Sequence, residues 1–66
     1  MPKAPRLTAV EAEKLLLQAS FILIRSKGSH RIYWREQSKR RVVVPFHGNE
    51  TLHPKIVKEV LYAIEG

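Results

Sequence analysis

One histidine in this chain has neighbours that suit proton transfer on a bound phosphodiester. His30 follows Gly28 and Ser29, and Lys27 and Arg31 stand on either side of this group. Imidazole titrates near neutral pH and serves as a general acid or base, while cations hold a phosphate. RNA can be cleaved without a metal because its own 2′-hydroxyl group is an internal nucleophile. Gly28 allows close backbone approach, and Ser29 can orient a phosphate oxygen or a ring nitrogen.

The Gly-Ser-His spacing alone does not separate catalysis from a structural role. A lone histidine at the start of a strand is more often a surface or capping residue. The three histidines His30, His47 and His53 include no pair with i,i+4 ligand spacing, so three separate residues are favoured over a metal site. Phosphate-loop and dinucleotide glycine motifs are absent. The sequence therefore predicts no metal and no organic cofactor.

Positive charge is concentrated in the middle of the chain. Twelve Lys and Arg residues stand against six Asp and Glu, for a net charge of +6. In the segment 25–41 the only acid is Glu36, and the basic residues are Arg25, Lys27, Arg31, Arg35, Lys39, Arg40 and Arg41. Such a block predicts a polyanion-binding surface, because phosphate binding by Lys and Arg releases counterions. The alternative is a solvated hairpin that keeps the protein soluble.

Length and composition further limit the folds and the kinds of site that this chain can have. With 66 residues the chain is expected to be one domain over 1–66, of which 1–7 form a loose basic lead-in. A domain this small has one thin core, so a site must lie on the surface, and a partner chain or a homodimer could add stability. Cysteine is absent, which excludes disulfides and thiolate metal sites. The sequence has no apolar run long enough to predict a membrane span, and the start of the chain does not resemble a signal peptide. A cytoplasmic protein is therefore expected.

Helical signals lie at both ends of the chain. Thr8 and Glu11 form a capping box, which predicts a helix from about Ala9 to Ala19. Val10 and Leu17 point away from its apolar face, either as isolated surface aliphatics or as a contact for a partner chain. Pro54 suits a first helical position, and a second helix is predicted from the stripe Ile56, Val57, Val60, Leu61 and Ile64.

Three strands are predicted between the helices, over 21–25, 29–35 and 41–44. The segment 26–28 is predicted as the first turn and 36–39 as the second, with Pro45 ending the last ladder. Gly48-Asn49 indicates a turn in the loop 46–53. Short links favour an antiparallel meander, and two helices with one apolar stripe each cover one sheet face. The predicted class is α+β, in the order α-β-β-β-α, with the other sheet face open.

Two motifs together resemble the HicA toxin family. The first is Lys27-Gly28-Ser29-His30 with Tyr33 after it; the second is Arg41-Val42-Val43-Val44-Pro45-Phe46-His47-Gly48-Asn49, followed by Leu52 and an amphipathic helix. The resemblance covers about Glu11 to Ile64. It implies a double-stranded-RNA-binding-like fold and an mRNA interferase, a small endoribonuclease that a HicB antitoxin neutralises. It also implies that His30 is catalytic and that His47 and Gly48 shape the site.

The resemblance also bears on the second strand. Alternation alone would bury Ile32 and Trp34, whereas the family carries an aromatic residue at the position of Tyr33, as if that side were core. With Tyr33 inward, Ile32 and Trp34 share the open face with His30, where they could stack on RNA bases or pack under an antitoxin. The residues expected to bind RNA are Lys27, Gly28, Ser29, Arg31, Lys39, Arg40, Arg41 and His47.

The turn 36–39 and the helix start at His53-Pro54 depart from the family pattern, but neither includes the candidate histidine. Two alternatives to an active nuclease stay open. One is a non-catalytic double-stranded-RNA-binding module, for which the fold and charge suffice. The other is an interaction subunit whose nuclease activity has lapsed.

Overall fold

The computed structural model describes residues 6–47 and 51–65, and its elements follow the predicted order. They are α1 (Ala9–Gln18), β1 (Ile22–Lys27), β2 (His30–Arg35), β3 (Arg40–Pro45) and α2 (Pro54–Glu65). The strands form one antiparallel sheet in the order β1-β2-β3. Both helices pack on the same face of this sheet around one core. The predicted α-β-β-β-α fold is confirmed.

Helix α1 begins at the predicted capping box. The Thr8 hydroxyl accepts a hydrogen bond from the Glu11 amide at 3.3 Å, and the Glu11 carboxylate accepts one from the Thr8 amide at 2.9 Å. These bonds satisfy two amides at the helix start. The Thr8 amide, and then the Thr8 hydroxyl, lower the pKa of Glu11 by donating hydrogen bonds to its carboxylate. The helix ends at Gln18, because the chain turns towards β1 through Ser20 with a left-handed φ of 75°.

The turn between β1 and β2 is shorter than predicted. Lys27 pairs with His30, so only Gly28 and Ser29 link the strands, and the prediction of a turn over 26–28 is wrong. Gly28 has a φ of +58°, which glycine adopts without steric cost. Glycine at the first of two central positions is typical of a type II′ hairpin turn. A Cβ there would meet no heavy atom within 4 Å, so the backbone angle and not space favours glycine.

The strand ends also differ from the predictions. Strand β1 begins one residue later, at Ile22, and reaches Lys27 because the ladder continues up to the tight turn. Strand β3 gains a residue at each end, and Pro45 is its last member, opposite His30. A proline fits there because β3 is an edge strand whose outer side needs no ladder hydrogen bond. The turn 36–39 is as predicted.

Tyr33 occupies the centre of the core and is fully buried. It faces the helices, so Ile32 and Trp34 lie on the open side of the sheet, as the family resemblance implied and alternation alone did not. The other large side chains that are fully buried are Phe21, Leu16, Val44, Val57 and Val60. Burying each such side chain contributes about 1.5–3 kcal/mol to the stability of the fold.

Arg35 joins the ends of both helices from within the core. Its guanidinium donates to the backbone carbonyls of Ala19 at 3.1 Å and Ala63 at 2.8 Å, and it stacks 4.7 Å from the centre of the Phe21 ring. The C-terminal end of a helix carries partial negative charge and carbonyls without partners. A buried cation at these two ends is therefore compensated without a carboxylate.

Helix α2 starts at Pro54, as predicted, and the His53 Nδ1 accepts a hydrogen bond from the Lys55 amide at 3.1 Å. The predicted stripe faces the core, with Val57 and Val60 fully buried. None of the helices within the described residues is long and apolar enough to cross a membrane.

The described part of the lead-in is held in place. The Leu7 carbonyl accepts a hydrogen bond from the Leu52 amide at 2.7 Å, and Leu7 packs against the core. The predicted turn at Gly48-Asn49 and residues 1–5 of the predicted lead-in lie outside the described residues.

Candidate functional site

The uncovered side of the sheet carries the candidate site and is called the open face below. Directly opposite residues on antiparallel strands point to the same side, so the register defines three rows. These rows are Lys27–His30–Pro45, Arg25–Ile32–Val43 and Ile22–Trp34–Arg41. The open face therefore combines one imidazole, three cations and a central apolar group on a rigid sheet.

His30 is the first residue of β2 and is exposed on the open face. Its imidazole makes no hydrogen bond to any residue in the described ranges 6–47 and 51–65. The adjoining backbone is fixed, because the Ser29 carbonyl accepts a hydrogen bond from the Phe46 amide at 2.6 Å. A short turn and a strand thus hold the imidazole beside Lys27, with Ser29 exposed next to it.

Cations border the apolar centre of the open face. Arg25 lies across from the half-buried Ile32, and Arg41 lies across from the half-buried Trp34. None of the nine residues in the three rows is acidic. Glu36 lies in the next turn, where it accepts a hydrogen bond from the Trp34 indole at 3.0 Å. Cations next to a partly exposed aromatic ring suit a strand of RNA, which offers both phosphates and base faces.

Arg31 lies on the opposite side of the sheet from His30, although the two are adjacent in sequence. It pairs with Glu13 of α1 at 3.0 Å and stacks 4.1 Å from the centre of the Phe46 ring. Glu13 also accepts a short hydrogen bond from the Tyr33 hydroxyl. Burial, and then this carboxylate, raise the pKa of Tyr33, and Glu13 raises the pKa of Arg31. The structure does not bring Arg31 to the open face, and its expected contact with RNA stays a prediction.

The three basic residues at the second turn separate in space. Lys39 pairs with Glu36, which lowers the pKa of that carboxyl group. Arg40 is half-buried on the helix side, where it stacks on Tyr62 of α2. Only Arg41 joins the open face. Their binding of RNA, which the sequence predicted for all three, stays untested.

His47 lies just beyond the end of β3 and, unlike His30, is not part of the three rows of the open face. It is exposed and lines a cleft of about 400 Å³ together with Pro45, Thr51, Leu52, His53 and Ile56. Because Pro45 is opposite His30, this cleft borders the first row of the open face. Gly48, the other residue expected to shape the site, lies outside the described residues. Among the described residues, no cluster of three or more His, Asp or Glu side chains could hold a metal ion.

Arg25 lies on the open face, although the sequence did not single it out as an RNA-binding residue. It sits in the central row of the open face, two residues before Lys27. With the turn correctly assigned to Gly28-Ser29, counting back by two from Lys27 would have placed Arg25 on the same face. The irregularity between Leu23 and Arg25 turns Ile22 rather than Leu23 to the open face, and neither glycine nor proline marks it in the sequence.

A family model described as the HicA toxin of bacterial toxin-antitoxin systems matches residues 9–65, nearly the whole chain. No curated protein matches the sequence significantly.

Proposed function

The chain belongs to the HicA family of toxins of bacterial toxin-antitoxin systems, and on this premise we propose that it is an endoribonuclease that cleaves mRNA with His30 as general acid or base. A toxin role and an antitoxin partner follow from membership of the family. The observation that carries the proposed chemistry is the first row of the open face, where an exposed imidazole with no hydrogen-bond partner in the described chain stands next to Lys27.

The reaction that suits this arrangement is an internal transesterification. The ribose 2′-oxygen attacks the neighbouring phosphorus and loses its proton, while the bond from phosphorus to the 5′-oxygen breaks and that oxygen gains a proton. The products are a 2′,3′-cyclic phosphate and a 5′-hydroxyl end. His30 takes the first proton or gives the second, which is the work of a general base or acid. No metal or organic cofactor is required for this step.

Lys27 is the proposed phosphate ligand at the reacting centre. An ammonium group held across from His30 attracts the phosphodiester and offsets the negative charge that develops on its oxygens during the reaction. Arg25 and Arg41 continue the positive charge along the open face and hold the flanking phosphates. Trp34, half-buried among these cations, offers a ring on which a base can stack.

The proposed antitoxin is a HicB-like protein that covers the open face. The central row exposes apolar atoms of Ile32 and Val43 between cations, so a complementary partner is apolar at its centre and acidic at its rim. Such a partner would exclude RNA from His30 by occupying the same surface.

A comparison of RNA with DNA tests the proposed reaction. The purified protein is incubated with a long unstructured RNA, and separately with DNA of the same sequence, in the presence of a metal chelator. We expect the RNA to be cleaved to fragments with 2′,3′-cyclic phosphate ends and the DNA to remain intact. RNA that is bound but not cleaved would support a non-catalytic RNA-binding module instead, and cleavage of DNA would contradict the role of the 2′-hydroxyl group.

A further inference from the structure

A second cleft lies at the outer edge of β3, where this strand faces the last turns of α2. It measures about 340 Å³, and its lining includes Arg40, Arg41, Val42, Val43, Glu59 and Tyr62. The cleft adjoins the open face along β3, because some residues of this strand belong to both. Of the residues that line this cleft, the proposed function uses only Arg41, as a ligand for a flanking phosphate.

The geometry points to a nucleobase-binding subsite for single-stranded RNA in this cleft, with Tyr62 and Arg40 as the stacking surface and Arg41 as the phosphate contact. The inference rests on the proposed RNA cleavage at His30, to which it adds a second contact with the same RNA strand.

The stacking surface is a tyrosine ring and a guanidinium group in contact. The Arg40 guanidinium carbon lies 4.6 Å from the centre of the Tyr62 ring, and Tyr62 is 65 % exposed. Both groups are planar, and RNA bases stack on aromatic rings and on arginine planes alike. A large ring left this exposed is available to a base on its free side. Its partner Arg40 is already ordered by the contact, so less side-chain entropy is lost on binding.

The rest of the cleft supplies groups that can contact the edge of a base. Within the described residues β3 pairs only with β2, so backbone N–H and C=O groups on its outer side lack strand partners. The Glu59 carboxylate can accept a hydrogen bond from an exocyclic amine. A peptide strand could pair with the same backbone edge, but the exposed ring, the two arginines and the net charge of +6 favour a nucleotide.

Arg41 connects this cleft to the candidate site. It lines the cleft and also lies on the open face, across from Trp34. Pro45, which is opposite His30, is four residues further along β3, a distance of about 13 Å at the usual rise of a strand. One RNA strand can therefore reach both places. A base stacked in the cleft must be unpaired, which favours single-stranded RNA over a duplex.

Binding measurements on a protein that cannot cleave test the subsite. In a His30→Ala background, the Kd for a short fluorescent single-stranded RNA is measured for Tyr62→Ala and for Tyr62→Leu, which keeps an apolar side chain on α2. We expect both to weaken binding roughly tenfold, since a stacked base loses its ring, with the salt dependence unchanged because no phosphate contact is removed. The matched control Tyr62→Phe keeps the ring and should bind like the background protein. Thermal unfolding confirms that each variant is folded.

The outcomes separate the subsite from the proposed reaction. A Kd within twofold of the background for folded Tyr62→Ala and Tyr62→Leu would overturn the subsite, even if the protein with His30 intact cleaves RNA. An equal loss for Tyr62→Phe would also overturn it, because stacking needs only the ring. Ring-dependent binding by a protein that never cleaves RNA would support the subsite while contradicting the nuclease. Equal weakening for a duplex would overturn the requirement for an unpaired base.

Discussion

Lys27 lies directly opposite His30 in the antiparallel pair of β1 and β2, on the sheet face that no helix covers. The Gly28-Ser29 turn fixes this relationship, because these two residues alone connect Lys27 to His30 and so make them the last pair of the hairpin ladder. The first row of the open face therefore has two ionisable side chains, a cation and an imidazole. The cation can bind a phosphate, and the imidazole can transfer a proton.

Replacing Lys27 should therefore weaken the cleavage of RNA without unfolding the domain. Lys27→Gln removes the charge that we propose for phosphate binding, and we expect kcat/KM to fall roughly tenfold. The control Lys58→Gln removes the same charge from an exposed position on α2. An equal loss in both variants would mean that only the net charge of the protein matters.

The basic residues of the second turn should contribute unequally to RNA binding. Arg41 is on the open face, whereas Lys39 is paired with Glu36. We expect Arg41→Gln to lower the slope of log Kd against log salt by about one, the effect of one lost phosphate contact, and Lys39→Gln to lower it by less. Equal slopes for Arg41→Gln and the parent protein would show that this end of the hairpin is a solvated edge.

Antitoxin binding should protect the open face from solvent. Hydrogen exchange of the complex with a HicB-like antitoxin is expected to slow for β2, including the amide of His30, and RNA cleavage should stop. The fluorescence of Trp34, which is half-buried on this face, should change on mixing. Protection of α1 and α2 alone, with β2 unchanged, would rule out occlusion of His30 and leave sequestration or an allosteric effect.

Arg35 should matter for stability rather than for RNA binding. Arg35→Met leaves the carbonyls of Ala19 and Ala63 without their charged donor, so we expect the free energy of unfolding to fall by at least about 2 kcal/mol. Arg35→Lys keeps the charge but loses the planar fork, and should recover only part of this loss. Urea unfolding of both variants measures the difference. Arg35→Met with the stability of the parent would show that water can replace these contacts.

Much of the fold could be predicted because local signals agree with the final structure. The Thr8–Glu11 capping box and Pro54 marked the helix starts, and the stripe of α2 pointed to the core. The inward direction of Tyr33 came from the family resemblance, since period-two alternation alone favoured burial of Ile32 and Trp34.

The candidate site was predicted less completely, because it depends on register. Arg31 follows His30 in sequence, yet a strand turns successive side chains to opposite faces, and Arg31 instead pairs with Glu13 across 18 residues. The irregularity after Leu23 reverses which apolar residues of β1 share the open face with Arg25. Alternation along β2 is enough to separate Arg31 from His30, but the contact of Arg31 with Glu13 and the irregularity in β1 could not be found from spacing along the chain.

Cleavage of RNA by His30→Ala tests the central claim most directly. The parent protein, His30→Ala and the comparison variant His47→Ala are given the same long unstructured RNA with a metal chelator, after circular dichroism has confirmed that all three are folded. We predict that His30→Ala loses at least about 10²-fold in rate, the usual contribution of a general acid or base, while His47→Ala keeps most of its activity. A folded His30→Ala that cleaves RNA at nearly the parent rate would contradict the account and make His47 the first residue to examine.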